Sequence, residues 1–293
     1  MNYFDLHCDT PYECYFKKQD FLKNNLALSG EKGTVFENWK QVFALWIRDD
    51  LDEPYTLYRA ILKDFKEKLS DKPDNLTPYF SVEGGAVIED DFDRLYRLKE
   101  DGICALTLTW NGENRIAGGS KTDKGLTEFG KRVISEMNSL NMLCDLSHLN
   151  EKSFYSAVEL ADFPIATHSN CKSVFDCPRN LSDNQLRLIA EKGGIVGLCF
   201  YPEFLGGDVP QKIYENIFHL LELEMENSIA LGSDFDGADM AEGLCDITKI
   251  PYLYAELREK GISERVLDKI FYKNAENYLE TFDKRRSVKK NKE

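Results

Sequence analysis

The first residues able to do chemistry stand almost at the start of the chain, in the run Tyr3-Phe4-Asp5-Leu6-His7-Cys8-Asp9. If this apolar run is a β-strand, the alternation of side chains places His7 and Asp9 on the same side. A neutral imidazole and a carboxylate at the end of a strand form half of a divalent-metal site. The alternative is a surface histidine beside a helix N-cap aspartate, with Pro11 opening the helix.

The positions of the other histidines favour the metal site. The chain has four histidines, and His148 and His168 stand just past apolar, β-prone runs, as His7 does. In a parallel barrel the carboxyl ends of all strands meet at one face, so we expect these three imidazoles to converge there. His219 lies within a helical pattern, and we expect it to be an ordinary helix residue.

Two acidic residues occupy equivalent positions. Glu83 follows the run 78–82 and precedes two glycines, which suits a ligand with backbone packed close beside it. Asp234 follows the run 228–231, in Gly232-Ser233-Asp234-Phe235-Asp236-Gly237. A calcium-binding EF-hand loop that started at Asp234 would need a glutamate at its twelfth position, where the chain has Cys245. We therefore exclude a calcium loop and place both acids at the face where the histidines converge.

The mixture of imidazole and carboxylate groups favours zinc or a similar transition metal over calcium or magnesium. Five ligands exceed what one tetrahedral catalytic zinc can use, which favours two metals that share a carboxylate and an activated water. An acid outside the ligand set could take the proton from that water and pass it to a leaving amine. The predicted chemistry is hydrolysis of an amide or ester. The six residues are His7, Asp9, Glu83, His148, His168 and, as the proton acceptor, Asp234.

Arg179 and the cysteines are the remaining candidates. Arg179 lies in the loop after His168, and its position alone leaves open a surface ion pair or a clamp for a substrate carboxylate. Cys8 and Cys144 lie in strand-like runs, and we expect both to be buried core thiols. The chain has no G-x-S-x-G nucleophile elbow, so a serine-hydrolase interpretation has no basis.

The elements that must position these residues alternate along the chain. Apolar runs predict eight strands, and amphipathic stretches predict helices between them. This count predicts an α/β fold, a (β/α)8 barrel of the TIM type, as a single domain over 1–283 with C-terminal helices outside. The competing doubly wound sheet would carry a glycine-rich phosphate loop after its first strand, where this chain has His7 and Asp9. The predicted strands are 3–6, 41–47, 78–82, 103–109, 142–146, 164–167, 194–200 and 228–231; the predicted helices are 55–69, 91–100, 127–140, 151–160, 182–191, 211–223, 251–260, 263–271 and 273–282.

Composition limits the surroundings in which the protein works. A net charge of −14 argues against nucleic acid and anionic membranes as partners. No apolar run approaches the roughly 18 residues of a membrane span, and no basic signal sequence precedes the first strand. Eight cysteines without a C-x-x-C pair, several in apolar runs, predict a cytosolic protein without structural disulfides. The basic segment 284–293 is expected to be a flexible, solvated tail.

Seven segments, in order between residues 5 and 237, resemble the renal (membrane) dipeptidase family, which are zinc dipeptidases with an amidohydrolase-type barrel. The resemblance implies that His7 and Asp9 bind one Zn²⁺, that His148 and His168 bind a second, and that Glu83 bridges both. The matching segments are Asp5-Leu6-His7-Cys8-Asp9-Thr10-Pro11, Ser81-Val82-Glu83-Gly84-Gly85, Leu106-Thr107-Leu108-Thr109, Asp145-Leu146-Ser147-His148, Thr167-His168-Ser169-Asn170, Arg179-Asn180 and Gly232-Ser233-Asp234-Phe235-Asp236-Gly237.

The resemblance also assigns roles around the substrate. It implies that Asp234 is the acid/base residue, that Arg179 holds the C-terminal carboxylate of a dipeptide, and that Tyr201 contacts the substrate. Vertebrate members carry a histidine after the Leu-Thr-Leu-Thr run, where it helps to stabilise the tetrahedral intermediate. This chain has Trp110 there, and we expect Asn111 or Asn114 to replace that function.

The predicted function is therefore that of a cytosolic metallodipeptidase with two Zn²⁺ per chain. A D-residue at the C-terminal position of the dipeptide and a homodimeric state stay open. One alternative is another amidohydrolase that acts on N-acyl amino acids or β-lactam-like amides, since Arg179 suits those substrates equally well. Another is a metal-binding protein that recognises peptides without cleaving them, which the acid/base residue Asp234 disfavours.

Overall fold

Eight parallel strands form a closed barrel, in which each strand pairs with the next along the chain and the last pairs with the first. The computed structural model describes residues 1–290, with side chains through residue 282. All eight predicted strands and the predicted barrel are confirmed. The strands are β1 Asn2–Cys8, β2 Asn38–Trp46, β3 Leu76–Glu83, β4 Ile103–Thr107, β5 Leu143–Asp145, β6 Pro164–Ala166, β7 Ile195–Leu198 and β8 Ile229–Leu231.

Twelve α-helices surround this barrel in the described part of the chain. The helices predicted between strands are confirmed, and several begin at the side-chain cap that their sequence supplies. Ser182 and Gln185 form a reciprocal capping box at the start of α7. The helices are α1 Thr10–Phe16, α2 Gly30–Gly33, α3 Pro54–Lys68, α4 Phe92–Glu100, α5 Glu128–Ser139, α6 Glu151–Leu160, α7 Asp183–Glu191, α8 Pro202–Leu205, α9 Val209–Glu222, α10 Ile250–Glu259, α11 Glu264–Asp268 and α12 Asn274–Lys290.

The apolar core has two parts. One lies between the barrel and the surrounding helices, and the other fills the barrel itself. Helix α12 closes the barrel at the amino ends of the strands, because the Tyr278 hydroxyl donates to Pro164 O at 2.8 Å and Asn274 Nδ2 donates to Ile229 O at 2.8 Å. The side chains that fill the barrel and its closed end include Phe4, Leu6, Val42, Leu143, Ile165, Ile195, Leu279 and Phe282.

The C-terminal segment follows the prediction in part. Helices α10 and α11 are present, and a π-helical turn at Lys269–Lys273 joins α11 to α12. Helix α12 runs through Lys290, whereas the flexible tail was expected to begin at residue 284. Residues 291–293 of that tail lie outside the described residues. Among the helices of the described chain, none combines the length and apolarity that crossing a membrane requires.

Candidate metal centre and active site

The residues predicted to bind metal or transfer a proton lie together at the carboxyl ends of the strands. The imidazole His7 Nε2 lies 3.3 Å from Glu83 Oε2 and 3.6 Å from Asp9 Oδ2. On the other side of the same carboxylate, Glu83 Oε1 lies 2.7 Å from His148 Nε2 and 3.7 Å from His168 Nε2. The two oxygens of Glu83 therefore face two different groups of ligand atoms, which is the arrangement that a bridging carboxylate requires.

Three overlapping groups of buried side chains have ligand atoms within 4.8 Å of one another. Two of these groups share Glu83, and the third joins His7 and His168 to Asp234. The groups are His7 with Asp9 and Glu83, Glu83 with His148 and His168, and His7 with His168 and Asp234.

The hydroxyl of Thr167 determines which nitrogen of two histidines carries hydrogen. Thr167 Oγ1 donates its single proton to Asp145 Oδ2 at 2.7 Å. The same oxygen lies 3.2 Å from His7 Nδ1 and 3.0 Å from His168 Nδ1. Because its proton is already used, this oxygen acts as an acceptor toward both rings, so both Nδ1 atoms carry hydrogen. In a neutral ring of this tautomer, the lone pair of Nε2 is directed into the mouth of the barrel, as metal ligation requires.

Asn111 imposes the same tautomer on the third histidine. Its Oδ1 atom lies 3.1 Å from His148 Nδ1, and a carbonyl oxygen can accept but not donate. Ser120 Oγ donates to the same oxygen at 2.9 Å and holds the amide in place. Asn111 lines the cavity as predicted for a substrate contact, but its Oδ1 atom is engaged by His148. The side chain of Asn114, the other candidate, is bonded within its own loop.

The residues present fit a bound metal ion. His148 Nε2 and His168 Nε2 lie 2.8 Å apart, and with both Nδ1 atoms protonated neither neutral ring has a proton to donate to the other. Two lone pairs at this distance repel unless a cation lies against them. In addition, His7 Nε2 and Asp9 Oδ1 are buried without a hydrogen-bond partner among the residues with described side chains. Buried polar atoms of this kind are normally satisfied, so the donor set is complete with a cation bound.

Burial keeps two of the histidines neutral. It lowers the pKa of His148 to about 4, and the charge of Arg179 acts in the same direction. Burial, together with the charge of His7, also lowers the pKa of His168 well below its usual range. Both rings are therefore neutral at pH 7 and keep their lone pairs available for ligation.

Three carboxylates at the mouth attract positive charge. Burial and the charge of Glu83 raise the pKa of Asp9, and burial raises the pKa of Asp234. Burial opposes ionisation of Glu83, but the charge of the His7 ring holds its pKa well below the usual range. Burial also disfavours charge on His7, yet Glu83 and Asp9 raise the pKa of that ring well above its usual value. A proton and a metal ion therefore compete for the same position beside His7 Nε2.

The backbone around these ligands is closely packed. A Cβ atom on Gly84 would lie 2.0 Å from Ile47 O, and one on Gly85 would lie 2.3 Å from Leu108 O. These glycines allow Glu83 to sit at the end of β3 with neighbouring backbone pressed against it. His148 has φ of 70° and Asp234 has φ of 64°, a left-handed conformation that costs free energy in residues other than glycine.

Asp9 lies at the start of a helix, as the alternative interpretation predicted, but the surface histidine of that interpretation is wrong, because His7 is completely buried. Asp9 stands at the N-cap of α1, with proline in the first turn, but its side chain makes no capping hydrogen bond. Instead, Asp9 N donates to Phe235 O at 2.9 Å, and the carboxylate remains directed toward His7. The helix predicted by the alternative interpretation is present, and the carboxylate still belongs to the cluster.

Sequence reasoning missed two buried acids that accept hydrogen bonds from groups beside the proposed ligands. Asp145 is buried and accepts from Thr107 Oγ1 at 2.6 Å as well as from Thr167 Oγ1. Asp5 is buried, and burial raises its pKa to about 6; it accepts from Ser233 Oγ at 2.6 Å and so connects β1 to the end of β8. The position of each acid within a strand beside a metal-ligand motif was the available signal.

The cluster opens into a cavity of about 920 Å³. Arg179 is buried in its wall, donates from Nη2 to His168 O at 3.1 Å and places its guanidinium 5.1 Å from the centre of the Phe204 ring. Its Nε atom has no hydrogen-bond partner among the described side chains. Tyr201 also lines this cavity, so the structure places both predicted substrate contacts beside the cluster. His219 is a half-buried helix residue, as predicted, and its Nε2 atom lies 2.8 Å from Asp183 Oδ1.

A (β/α)8 barrel with buried imidazole and carboxylate groups at its carboxyl-end mouth has the architecture of the barrel metallohydrolases. The family model for membrane dipeptidase (peptidase family M19) matches residues 60–293. The chain therefore belongs to the membrane dipeptidase family, as its sequence motifs predicted. The matched region includes Glu83, His148, His168, Arg179 and Asp234, whereas His7 and Asp9 precede it.

Two relatives of known sequence are similar to this chain. A protein of Klebsiella pneumoniae described as an uncharacterized protein in the pqqA 5' region is 35% identical over 209 residues, which are 66% of this chain and 77% of that protein. An uncharacterized dipeptidase of Schizosaccharomyces pombe is 33% identical over 200 residues, which are 64% of this chain and 49% of that protein. The chain thus spans about half the length of this fungal relative.

Two solved structures share the whole fold. The dipeptidase AC, a metallopeptidase of family M19, superposes with a TM-score of 0.86 at 26% identity over 96% of this chain and 98% of that chain. A metallopeptidase of Rhodobacter sphaeroides, bound to a phosphinate mimic of the dipeptide L-Ala-D-Ala, superposes with a TM-score of 0.82 at 25% identity over 96% and 99% of the two chains.

Proposed function

We propose that this protein is a binuclear metallodipeptidase that hydrolyses the peptide bond of dipeptides, with zinc as the metal. The observation that carries the proposal is the position of Glu83, whose two carboxylate oxygens face two separate groups of ligands at the base of one cavity. Family membership and the dipeptide mimic bound to the Rhodobacter sphaeroides relative support this substrate class.

The ligands divide between two ions. His7 and Asp9 would hold one, His148 and His168 the other, and Glu83 would contact both. When bound, two divalent cations supply Lewis-acid polarisation of the scissile carbonyl and activation of the attacking water. The hydrogen bonds from the three Nδ1 atoms to Thr167 and Asn111 leave each Nε2 atom as the ring nitrogen that is aimed at these positions.

Asp234 would move the proton. Its Oδ1 atom lies 4.0 Å from His7 Nε2, at the edge of the cluster and facing the cavity. From this position the carboxylate can accept a proton from the attacking water and deliver it to the departing amine. Burial raises the pKa of Asp234, which makes the carboxylate a better base than an exposed aspartate.

Arg179 would set the length of the substrate. Its planar guanidinium suits two hydrogen bonds to a carboxylate, and Nε is a buried donor that lacks a described partner. His168 is a metal ligand in this proposal through its ring. Its backbone carbonyl oxygen accepts from the same guanidinium, so Arg179 lies close to the cluster. One carboxylate clamp at a short distance from the scissile bond leaves room for a single residue beyond it, which explains a preference for dipeptides.

The proposal also includes a cytosolic location and a single catalytic unit over residues 1–283. Five of the eight cysteines are buried thiols, at positions 8, 14, 144, 171 and 199, which supports a reducing compartment.

The proposal is tested by stripping the purified protein of metal with a chelator, reloading it with zinc and assaying a panel of substrates. We expect about two metal ions per chain, as two-metal sites require, and turnover of L,L- or L,D-dipeptides that is lost on chelation. N-acyl amino acids and β-lactams serve as the comparison substrates. Turnover of those compounds with inert dipeptides would replace the proposal with a deacylase or lactamase, and a loaded protein inert toward all of them would contradict it.

A further inference from the structure

A buried cysteine contacts the carboxylate assigned to proton transfer. Cys199 follows the last residue of β7 and is completely buried. Its thiol donates to Asp234 Oδ2 at 3.5 Å, a distance within the range of hydrogen bonds to sulfur. Among the residues with described side chains, no other hydrogen bond reaches this carboxylate. The Cys199 thiol is therefore the one hydrogen-bond donor to Asp234 among the described side chains.

We propose that Cys199 is a positioning residue, whose thiol holds one oxygen of Asp234 so that the other faces the metal ligands. The inference rests on the proposed function, because it concerns the proton transfer assigned to Asp234. With Oδ2 held by the thiol, Oδ1 is the oxygen that lies 4.0 Å from His7 Nε2. Without this bond the carboxylate could rotate about its last torsion, which has a broad energy minimum.

The backbone of Cys199 is clamped by a buried amide. Asn170 Oδ1 accepts from Cys199 N at 3.1 Å, and Asn170 Nδ2 donates to Cys199 O at 3.1 Å. These two bonds satisfy both backbone groups at the point where β7 has ended. They hold the backbone of Cys199 in place beside Asp234, so the fold determines the position from which the thiol extends.

The backbone of Asp234 is also fixed by hydrogen bonds. Asp234 N donates to His7 O at 3.1 Å. Phe200, the residue after Cys199, donates from its backbone N to the backbone O of Ser233, the residue before Asp234, also at 3.1 Å. Because both backbone segments are fixed at these points, the barrel sets the separation of the two positions from which the thiol and the carboxylate extend.

The chemistry of the thiol suits orientation and no other catalytic role. Burial, reinforced by the charge of Asp234, raises the pKa of Cys199 well above its usual value, so the thiol stays protonated and can donate. A protonated and completely buried thiol is a poor nucleophile. It is also a weak donor, which fixes the direction of the carboxylate while drawing little charge from it.

The inference is tested by measuring kcat, KM and metal content of Cys199→Ala and Cys199→Ser with a dipeptide substrate. Loss of one orienting hydrogen bond should lower kcat of Cys199→Ala about five- to tenfold, with KM and metal content nearly unchanged. Cys199→Ser keeps a donor at the same position and should recover most of the lost kcat. Cys144→Ala is the matched control, because Cys144 is equally buried in β5 and makes no contact with Asp234.

A double-mutant cycle with Asp234→Asn separates positioning from a general effect on the fold. If the thiol acts through Asp234, then Cys199→Ala should change the residual kcat of Asp234→Asn by less than about twofold. An equal loss of kcat in both backgrounds, a loss matched by Cys144→Ala, or unchanged kcat in Cys199→Ala would each overturn the inference. Inability of the wild-type protein to hydrolyse any dipeptide would instead contradict the proposed function.

Discussion

At the scale of single residues, the three imidazoles proposed as metal ligands depend on groups outside the proposed ligand set. Thr167 accepts hydrogen from both His7 and His168 because its own proton is taken by Asp145. Asn111 has the same effect on His148. Partners of this kind orient the rings and fix their tautomers, so their loss weakens metal binding without removing a ligand.

Thr167→Val should lower metal affinity by about 10- to 100-fold, since it removes the shared acceptor of two Nδ1–H groups. Metal dissociation constants from competition with a coloured chelator provide the measurement. The control is Thr107→Val, because Thr107 also donates to Asp145, at 2.6 Å, and has no hydrogen bond to a histidine. Equal weakening by the two substitutions would show that the effect comes from Asp145 alone and would refute the tautomer argument.

Asp234→Asn should lower kcat by about 10²- to 10⁴-fold, the usual contribution of a positioned acid or base. The substitution keeps the size of the side chain and removes its ability to accept a proton. Metal content, measured by elemental analysis of the same sample, should stay at the wild-type value. Because Asp234 also lies near His7 and His168, a variant that loses metal in step with activity would reassign the residue as a ligand.

Arg179→Ala should lower kcat/KM for free dipeptides by about 10- to 100-fold, since charge-assisted hydrogen bonds contribute about 1.5–3 kcal/mol. Dipeptide amides lack the carboxylate, so the wild-type enzyme should cleave them poorly and the variant should cleave them almost as well as the wild type does. The ratio of kcat/KM for the two substrate forms is the quantity to compare. A loss that is the same for acid and amide would argue against carboxylate binding.

At the scale of elements, strand ends were predictable from the sequence and their surroundings were not. The apolar runs and the polar residue that ends each one predict β3 and Glu83, or β6 and His168, from local pattern alone. Thr167 and Cys199 are not predictable in this way, because a threonine in a strand and a cysteine in an apolar run are ordinary core residues. Their roles arise from contacts between strands distant in sequence, such as the one from Cys199 to Asp234.

Short helices were hard to predict for a related reason: α2 and α8 were missed, and α1 was indicated only by Pro11 in the alternative interpretation of Asp9. Helix α1 has seven residues and helices α2 and α8 have four each, which is too short for a helical period to be recognised. The segment between β4 and α5 is a long loop, which is anchored by tertiary contacts. Asp49, beyond the end of β2, accepts from Gly112 N at 2.9 Å and from Asn114 Nδ2 at 3.1 Å.

Gly232→Ala tests how closely the last strands must approach at the mouth. A Cβ atom on Gly232 would lie 1.7 Å from Thr167 O, a backbone atom that cannot move aside cheaply. We expect a loss of about 1–3 kcal/mol in the free energy of unfolding, the usual cost of overpacking, together with weaker metal binding because Thr167 would be displaced. Denaturant titration and metal titration measure the two effects.

The control for this substitution is Gly125→Ala, where the nearest atom to a new Cβ is Lys152 Cβ at 3.9 Å. Its free energy of unfolding should stay within about 0.5 kcal/mol of the wild-type value. Equal stability of Gly232→Ala and the wild type would show that β6 and β8 can separate without cost.

At the scale of the whole molecule, the two ends of the barrel have different properties. The carboxyl end is open and polar and carries the proposed metal ligands, while the amino end is closed by α12 over an apolar filling. The C-terminal segment is tied to the turn before β8, the strand that precedes Asp234. Glu226 in that turn accepts from Arg265 at 2.5 and 2.9 Å and from Lys269 at 2.5 Å.

Glu226→Gln should lower the Tm at pH 7 by about 2 °C, because a networked surface ion pair contributes about 0.5–1 kcal/mol and 1 kcal/mol shifts Tm of a chain of this size by about 2–4 °C. Hydrogen bonds from Arg265 and then Lys269 lower the pKa of Glu226 from 4.5 to about 2. A lowered pKa in the folded state means that the stabilisation is complete above pH 4.5 and is lost as the pH falls toward 2.

The difference in Tm between the wild type and Glu226→Gln should therefore be constant from pH 8 to about pH 5.5 and should shrink below about pH 4.5, where the unfolded glutamate takes up its proton. Calorimetry over a pH series measures this difference. Glu264→Gln is the control, because Glu264 makes an exposed pair with Arg258 alone at 3.0 Å and should change Tm by less than about 1 °C. A Tm difference for Glu226→Gln that persists undiminished at pH 3 would show that the loss is one of packing, and the ionic connection between the C-terminal segment and β8 would then be irrelevant to stability.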